Sequence, residues 1–203
     1  MKNVLYIYDY NESVESDMYN YLNEKLDDNV ICIPYDQNNP DESIKQLSSI
    51  IESDINIVIA SGLGAWYAMY ISMPISLPCI LINPVWDNNF KDTYFNIMSA
   101  DILEKYLIYI KDNSFDFDYY WERAEDGGRI VVIRSDNDEV VKQNKKFLLK
   151  NFRYIYDISN AKHTLNIDEM KYVYDIYKMF TKKILPQYNK FFENQFPQMC
   201  EED

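Results

Sequence analysis

"INIVIASGLGAWYAMYI" (residues 55–71) holds three kinds of sequence in succession. "INIVIA" (55–60) is an almost unbroken apolar run of Ile, Val and Ala, which reads as a strand buried on both faces. "SGLG" (61–64) interrupts it with two of the chain's four glycines, and so tight a pair predicts a sharp turn. "GAWYAMYIS" (64–72) then reads as an amphipathic helix. Strand, tight turn and helix make up the unit from which parallel sheets are wound.

The same alternation extends to both sides. "NVLYIY" (3–8), "NVICIP" (29–34), "LPCILINP" (77–84), "RIVVIRS" (129–135) and "FRYIYDIS" (152–159) read as further strands. Between them, "DMYNYLNEKL" (17–26) has helical spacing, and "NPDESIKQLSSIIES" (39–53) places Ile44, Leu47, Ile50 and Ile51 on one face. Helices are also expected in "DILEKYLIYIKDN" (101–113), "VVKQNKKFLLKN" (140–151) and "IDEMKYVYDIYKMFTKKIL" (167–185). Strands with little polar alternation, separated by helices, imply a three-layer α/β/α sandwich on a mostly parallel sheet of about six strands. Residues 1–203 are read as one domain, with 85–126 as a lid or insert and 187–203 as a polar tail. The aromatic stretch "FDFDYYW" (115–121) falls in that insert, either lining an apolar pocket or capping the sheet edge.

Bulk composition narrows the function. A net charge of −13 argues against a nucleic-acid partner, because phosphate binding needs clustered Lys and Arg. No apolar run approaches the ~20 residues of a membrane span, and the start lacks a signal peptide's features. Cys32, Cys79 and Cys200 are odd in number and without metal-type spacing. A cytoplasmic location with neither metal nor cofactor is expected.

Right-handed crossovers put all strand C-terminal ends on one edge, where such sheets build their sites. Three segments at that edge carry chemistry. The turn "ASGLG" (60–64) follows the third strand, "SDNDEVV" (135–141) the fifth, and "SNAKHTL" (159–165) the sixth. The second contains Asp136 and Asp138; the third holds His163, the sole histidine. A nucleophile turn, an acid and a histidine in this order form a hydrolytic triad in the α/β hydrolases. The histidine deprotonates a hydroxyl, a carboxylate orients its ring, and backbone amides hold the oxyanion.

"LYIYDYNES", "IVIASGLGAWYAMYI", "LPCILINPVW", "VVIRSDNDEVV" and "AKHTL" together resemble the YqiA-type small esterases of the α/β-hydrolase superfamily, over the chain to about residue 168. The resemblance assigns the acid to Asp138, with Asp136 as the alternative, and the base to His163. It aligns Ala60–Gly64 with G-x-S-x-G, so the nucleophile position is Gly62 and Ser61 precedes it. The family's His-Gly pair after the first strand is replaced by Tyr8 and Asp9. Tyr8, Asp9, Tyr10 and Leu63 then occupy the oxyanion and pocket neighbourhood, where an inward carboxylate at Asp9 would oppose an oxyanion. The expectation is a divergent esterase relative that has lost its serine nucleophile, with weak or no ester hydrolysis, keeping a pocket for a small-molecule ester or acyl ligand. Two alternatives stay open: an active esterase or thioesterase using Ser61, His163 and Asp138, and a non-catalytic interaction protein. Since successive residues of a strand point to opposite faces, Ser61 is expected to aim away from His163.

Overall fold

The computed structural model describes residues 1–51, 54–113, 129–142, 145–187 and 189. Six strands form one sheet: β1 (Asn3–Ile7), β2 (Asn29–Cys32), β3 (Ile57–Ser61), β4 (Cys79–Ile82), β5 (Ile130–Ser135) and β6 (Tyr154–Ile158). Their order across the sheet is β2-β1-β3-β4-β5-β6, and every neighbouring pair is parallel. The sheet is thus wholly parallel where a mostly parallel one was expected. The central strands are buried along nearly their whole length, which is why they read as continuous apolar runs without alternation.

The described α-helices are α1 (Asp17–Lys25), α2 (Pro40–Ile51), α3 (Leu63–Ser72), α4 (Phe90–Tyr94), α5 (Ala100–Asp112), α6 (Lys145–Asn151) and α7 (Ile167–Met179); a 3-10 turn (Met73–Ile75) follows α3 and a π-helical segment (Phe180–Ile184) follows α7. Local chemistry sets their starts. The Ser16 hydroxyl caps α1 by accepting from the Tyr19 amide, and Asn166 with Glu169 forms a reciprocal capping box on α7. The apolar pattern predicts helix from Val140, yet Val140 and Val141 are not helical, and the described helix is Lys145–Asn151. The amides of Val140 and Val141 instead bond the Asp138 carboxylate, holding that segment in a turn.

α3 departs from the amphipathic reading. Nine of its ten residues are buried, because it lies against β1, β3 and β4 on one side and α2 on the other. Its close approach to the sheet requires Gly64, where a Cβ would stand 2.2 Å from the Ile7 carbonyl oxygen. Trp66 and Tyr67 are fully buried and pack with Phe90 and Tyr106, so they belong to the core. The described part of the expected insert, 85–113, carries α4 and α5, whose Phe90, Tyr94 and Tyr106 are buried. The aromatic stretch 115–121, Cys200 and nearly all of the polar tail lie outside the described residues.

Candidate active site

β3 delivers the chain to the sheet edge, and Gly62 turns it into α3. Gly62 has φ 50° and ψ −114°, a conformation that L side chains rarely adopt. Its own N–H still bonds the Ile82 carbonyl at 3.0 Å, so the turn is anchored to β4. Leu63 opens the helix, and its N–H has no partner within the helix. That N–H donates to Asp9 Oδ1 at 2.6 Å.

Asp9 lies two residues beyond the end of β1 and is 8% exposed. Its Oδ1 also accepts the Tyr10 N–H at 2.7 Å, and the Tyr94 hydroxyl lies at 3.5 Å. Two backbone amides therefore converge on one carboxylate oxygen. One belongs to the residue after the elbow and the other to the loop after β1, the pair of sources from which this architecture builds an oxyanion hole. The other oxygen, Oδ2, is 2.6 Å from His163 Nε2. A Cβ built on Gly62 would lie 1.9 Å from Asp9 Oδ1 and 2.1 Å from its Cγ. The Asp9 carboxylate thus fills the space into which an elbow side chain would project.

His163 is held from its other side by Asp138, whose two oxygens are 2.9 and 3.1 Å from Nδ1. Asp138 is fixed by the amides of Val140 and Val141, each 2.8 Å from Oδ1. Asp136 faces elsewhere and accepts the Asn160 amide at 2.5 Å. Burial alone would lower the His163 pKa. Hydrogen bonds to Asp138 and Asp9, with the charges of both, overcome that penalty and push it up to about 10. At neutral pH the ring is an imidazolium between two carboxylates, with both N–H groups engaged and no lone pair free to take a proton.

The structure brings Asp9, Tyr10, Gly62, Leu63, Asp138 and His163 together. Tyr8 turns into the core, where its hydroxyl accepts the Tyr35 amide and its carbonyl accepts the Tyr35 hydroxyl. Ser61 is the last residue of β3 and lines the same cavity as Asp9 and His163, so it is not sequestered from the site as strand alternation suggests. Both nitrogens of His163 are nevertheless taken by carboxylates.

One positioning residue, Asn83, escaped the sequence reading. It is fully buried with φ 45°, its side chain donates to Ser135 Oγ and the His163 carbonyl at 2.9 Å each, and it accepts the Ser135 amide at 2.7 Å. It ties β4 and β5 to the histidine loop. An Asn between a strand and Pro84 was the available signal, since Asn tolerates positive φ better than most residues.

A parallel sheet flanked by helices, with a positive-φ elbow after β3, is the architecture of the α/β-hydrolase fold. The chain belongs to the uncharacterised protein family UPF0227, the YqiA-like family, whose model matches residues 3–182. No curated protein matches by sequence. Among solved structures, Est1E from Butyrivibrio proteoclasticus is similar with TM-score 0.67 at 10% identity, covering 91% of this chain and 88% of that one. A carboxylesterase structure from the thaumarchaeon Nitrososphaera gargenis also gives 0.67 at 11% identity, covering 92% of each chain. Alpha/beta hydrolase domain-containing protein 10 from mouse gives 0.62 at 11% identity, covering 89% of this chain and 90% of that one. At these identities the likeness concerns the fold.

Proposed function

We propose that this chain is a divergent esterase relative whose site no longer performs serine-based ester hydrolysis and instead serves as a small-molecule binding pocket. The observation that carries the reading is the position of one carboxylate. Asp9 places Oδ1 on the Tyr10 and Leu63 amides and Oδ2 on His163 Nε2. Three requirements of acyl transfer are thereby opposed together. Gly62 offers no nucleophile, the amide pair already holds a negative charge, and His163 is proton-loaded at neutral pH. An ester carbonyl entering here would compete with a charge-assisted hydrogen-bond network for the same two donors.

The alternative nucleophile, Ser61, lines the cavity, but the proton acceptor it would require is bonded to Asp9. A fluorophosphonate probe separates the two readings. No covalent adduct is expected on the native protein after prolonged incubation at pH 8, read by intact mass. A phosphonyl mass shift mapped to Ser61, and lost in Ser61→Ala, would overturn the proposal in favour of an active hydrolase.

A further inference from the structure

The Asp9 carboxylate occupies the space of an elbow side chain, and its surroundings are those of a nucleophile. Oδ1 lies on the amides of Tyr10 and Leu63, and Oδ2 meets a histidine whose other nitrogen is held by Asp138. Among the described residues Oδ2 bonds only His163 Nε2, so one of its lone pairs is unused. Beside it lies a cavity of about 310 Å³, between the loop after β1, the start of α1 and the histidine loop. Asp9, Ser61 and His163 line this cavity, with apolar surface from Met18, Leu165 and Met170. The Asp9 side chain is 11% exposed.

A carboxylate gains little by attacking an ester, because the anhydride it would form is less stable than the ester. At a saturated carbon it forms an ester, a stable covalent intermediate. Such an ester on Asp9 keeps its carbonyl oxygen, Oδ1, on two amides already in place, so the oxyanion formed when water attacks Cγ needs no reorganisation. The histidine answers to the same step. Burial lowers its pKa, and two of the four influences that lift it are the hydrogen bond and the charge of Asp9. Esterification cancels that charge, so His163 sheds its proton and becomes a base, still oriented by Asp138, at the stage when water must be activated. The cavity then selects among alkylating substrates. Its described lining includes Asp9, Glu12, Glu15 and Asp17 and neither lysine nor arginine, so a departing anion is repelled. An epoxide expels no separate anion: its oxygen stays attached and needs one proton. Glu12 can supply it, because burial first, and then the Asp9 charge, raise its pKa.

We propose that Asp9 is a catalytic nucleophile and that this site hydrates small epoxides to vicinal diols through an Asp9 ester. Asp9 Oδ2 attacks a ring carbon, the bond from that carbon to the ring oxygen breaks, and the oxygen takes a proton from Glu12. His163 then passes its own proton to Glu12. Water attacks Cγ and gives a proton to His163, while the charge gathers on Oδ1 under the Tyr10 and Leu63 amides. Collapse breaks the bond from Cγ to Oδ2, the departing oxygen takes the proton from His163, and the diol leaves. The new carboxyl group returns its proton to His163, which restores the resting ion pair. Epoxide and water are consumed and diol is formed. The proposal rests on the reading of the site as a small-molecule pocket without serine chemistry, and names its substrate class.

Styrene oxide in ¹⁸O-water is the probe, with the native chain in excess so that each molecule turns over at most once. Phenylethanediol is expected to form at least ~100-fold faster than in buffer, the scale of a positioned proton-transfer group. The attacking oxygen of Asp9 leaves with the diol, so the diol carries no label and the Asp9 peptide gains one ¹⁸O by mass spectrometry. Chain incubated without styrene oxide stays unlabelled. Label in the diol with none on Asp9 would mean direct attack by water and would overturn the proposal, as would the absence of diol formation. His163→Gln, which lacks the base for the second step, is expected to stop at the ester, with one styrene oxide added on the Asp9 peptide. Asp9→Ala gives neither adduct nor diol; diol formation undiminished in that variant would also overturn the proposal. The labelling experiment uses the native chain and decides even where a variant fails to fold. An unlabelled Asp9 sinks only this proposal, whereas fluorophosphonate labelling of Ser61 sinks the loss of serine chemistry and leaves the ¹⁸O result standing.

Discussion

Gly62→Ser restores a hydroxyl at the elbow, and its consequences follow from three distances. The new Cβ would begin 1.9, 2.1 and 2.3 Å from Oδ1, Cγ and Oδ2 of Asp9. Ordinary contact begins near 3.4 Å, so the carboxylate must move by more than an ångström. Moving it breaks the bonds to the Leu63 amide, the Tyr10 amide and His163. Hydrogen bonds to charged groups contribute about 1.5–3 kcal/mol each, and partial rehydration returns some of that. Placing a side chain at φ 50° adds roughly 1–2 kcal/mol. The total cost is therefore about 4–6 kcal/mol, a large share of a typical domain's stability. In an Asp9→Gly background the clash and the three bonds are already gone, so the same substitution costs only the ~1–2 kcal/mol of backbone strain. The four proteins of this double-mutant cycle, unfolded in urea at pH 7, should thus show a coupling of about 3 kcal/mol. Activity should follow the same logic. Gly62→Ser alone leaves p-nitrophenyl acetate hydrolysis at background, while Asp9→Gly with Gly62→Ser frees both amides and His163 and raises turnover by about 100-fold, the scale of an oxyanion site. Equal costs in the two backgrounds, or robust turnover in the single variant, would refute the reasoning.

Two further outcomes are expected. His163 has a folded pKa of about 10 against about 6.5 unfolded, so its contribution to stability is complete below pH 6.5 and is lost as pH rises through 10. Urea unfolding should accordingly show native stability falling by roughly 2–4 kcal/mol between pH 7 and 10 relative to Asp9→Asn, whose histidine keeps only one charged partner. Asn83→Ala should cost about 3 kcal/mol, because it leaves the buried Ser135 amide without its acceptor and unties the histidine loop. Thermal unfolding, with amide exchange at His163 and Thr164, checks both effects.

The architecture was legible because the central strands are buried on both faces and so appear as unbroken apolar runs, each followed by a helical period. Legibility failed where tertiary contacts decide. The apparent amphipathicity of α3 vanished because both the sheet and α2 pack against it, and the helical reading failed at Val140 and Val141 because their amides serve Asp138. At the site, the alignment of Gly62 with the elbow and the order Asp138 to His163 were expectations that the resemblance of the motifs to the family implied. The direction of the Asp9 carboxylate could not. Nothing local specifies that its oxygens meet Leu63, 54 positions away, and His163, 154 positions away, since both meetings depend on how the sheet aligns its strand ends. Asn83 was hidden for the same reason: its partners lie on β5 and the histidine loop.

The sole histidine offers a direct test, because its ring nitrogens give an unambiguous signal in a ¹⁵N spectrum. The account predicts that both nitrogens of His163 are protonated at pH 8, that the ring titrates with a midpoint near 10, and that Asp9→Asn moves the midpoint down. A ring that is neutral at pH 8, with a midpoint close to the ordinary 6.5, would contradict it: His163 would then be free to act as a base and Asp9 would not be holding it.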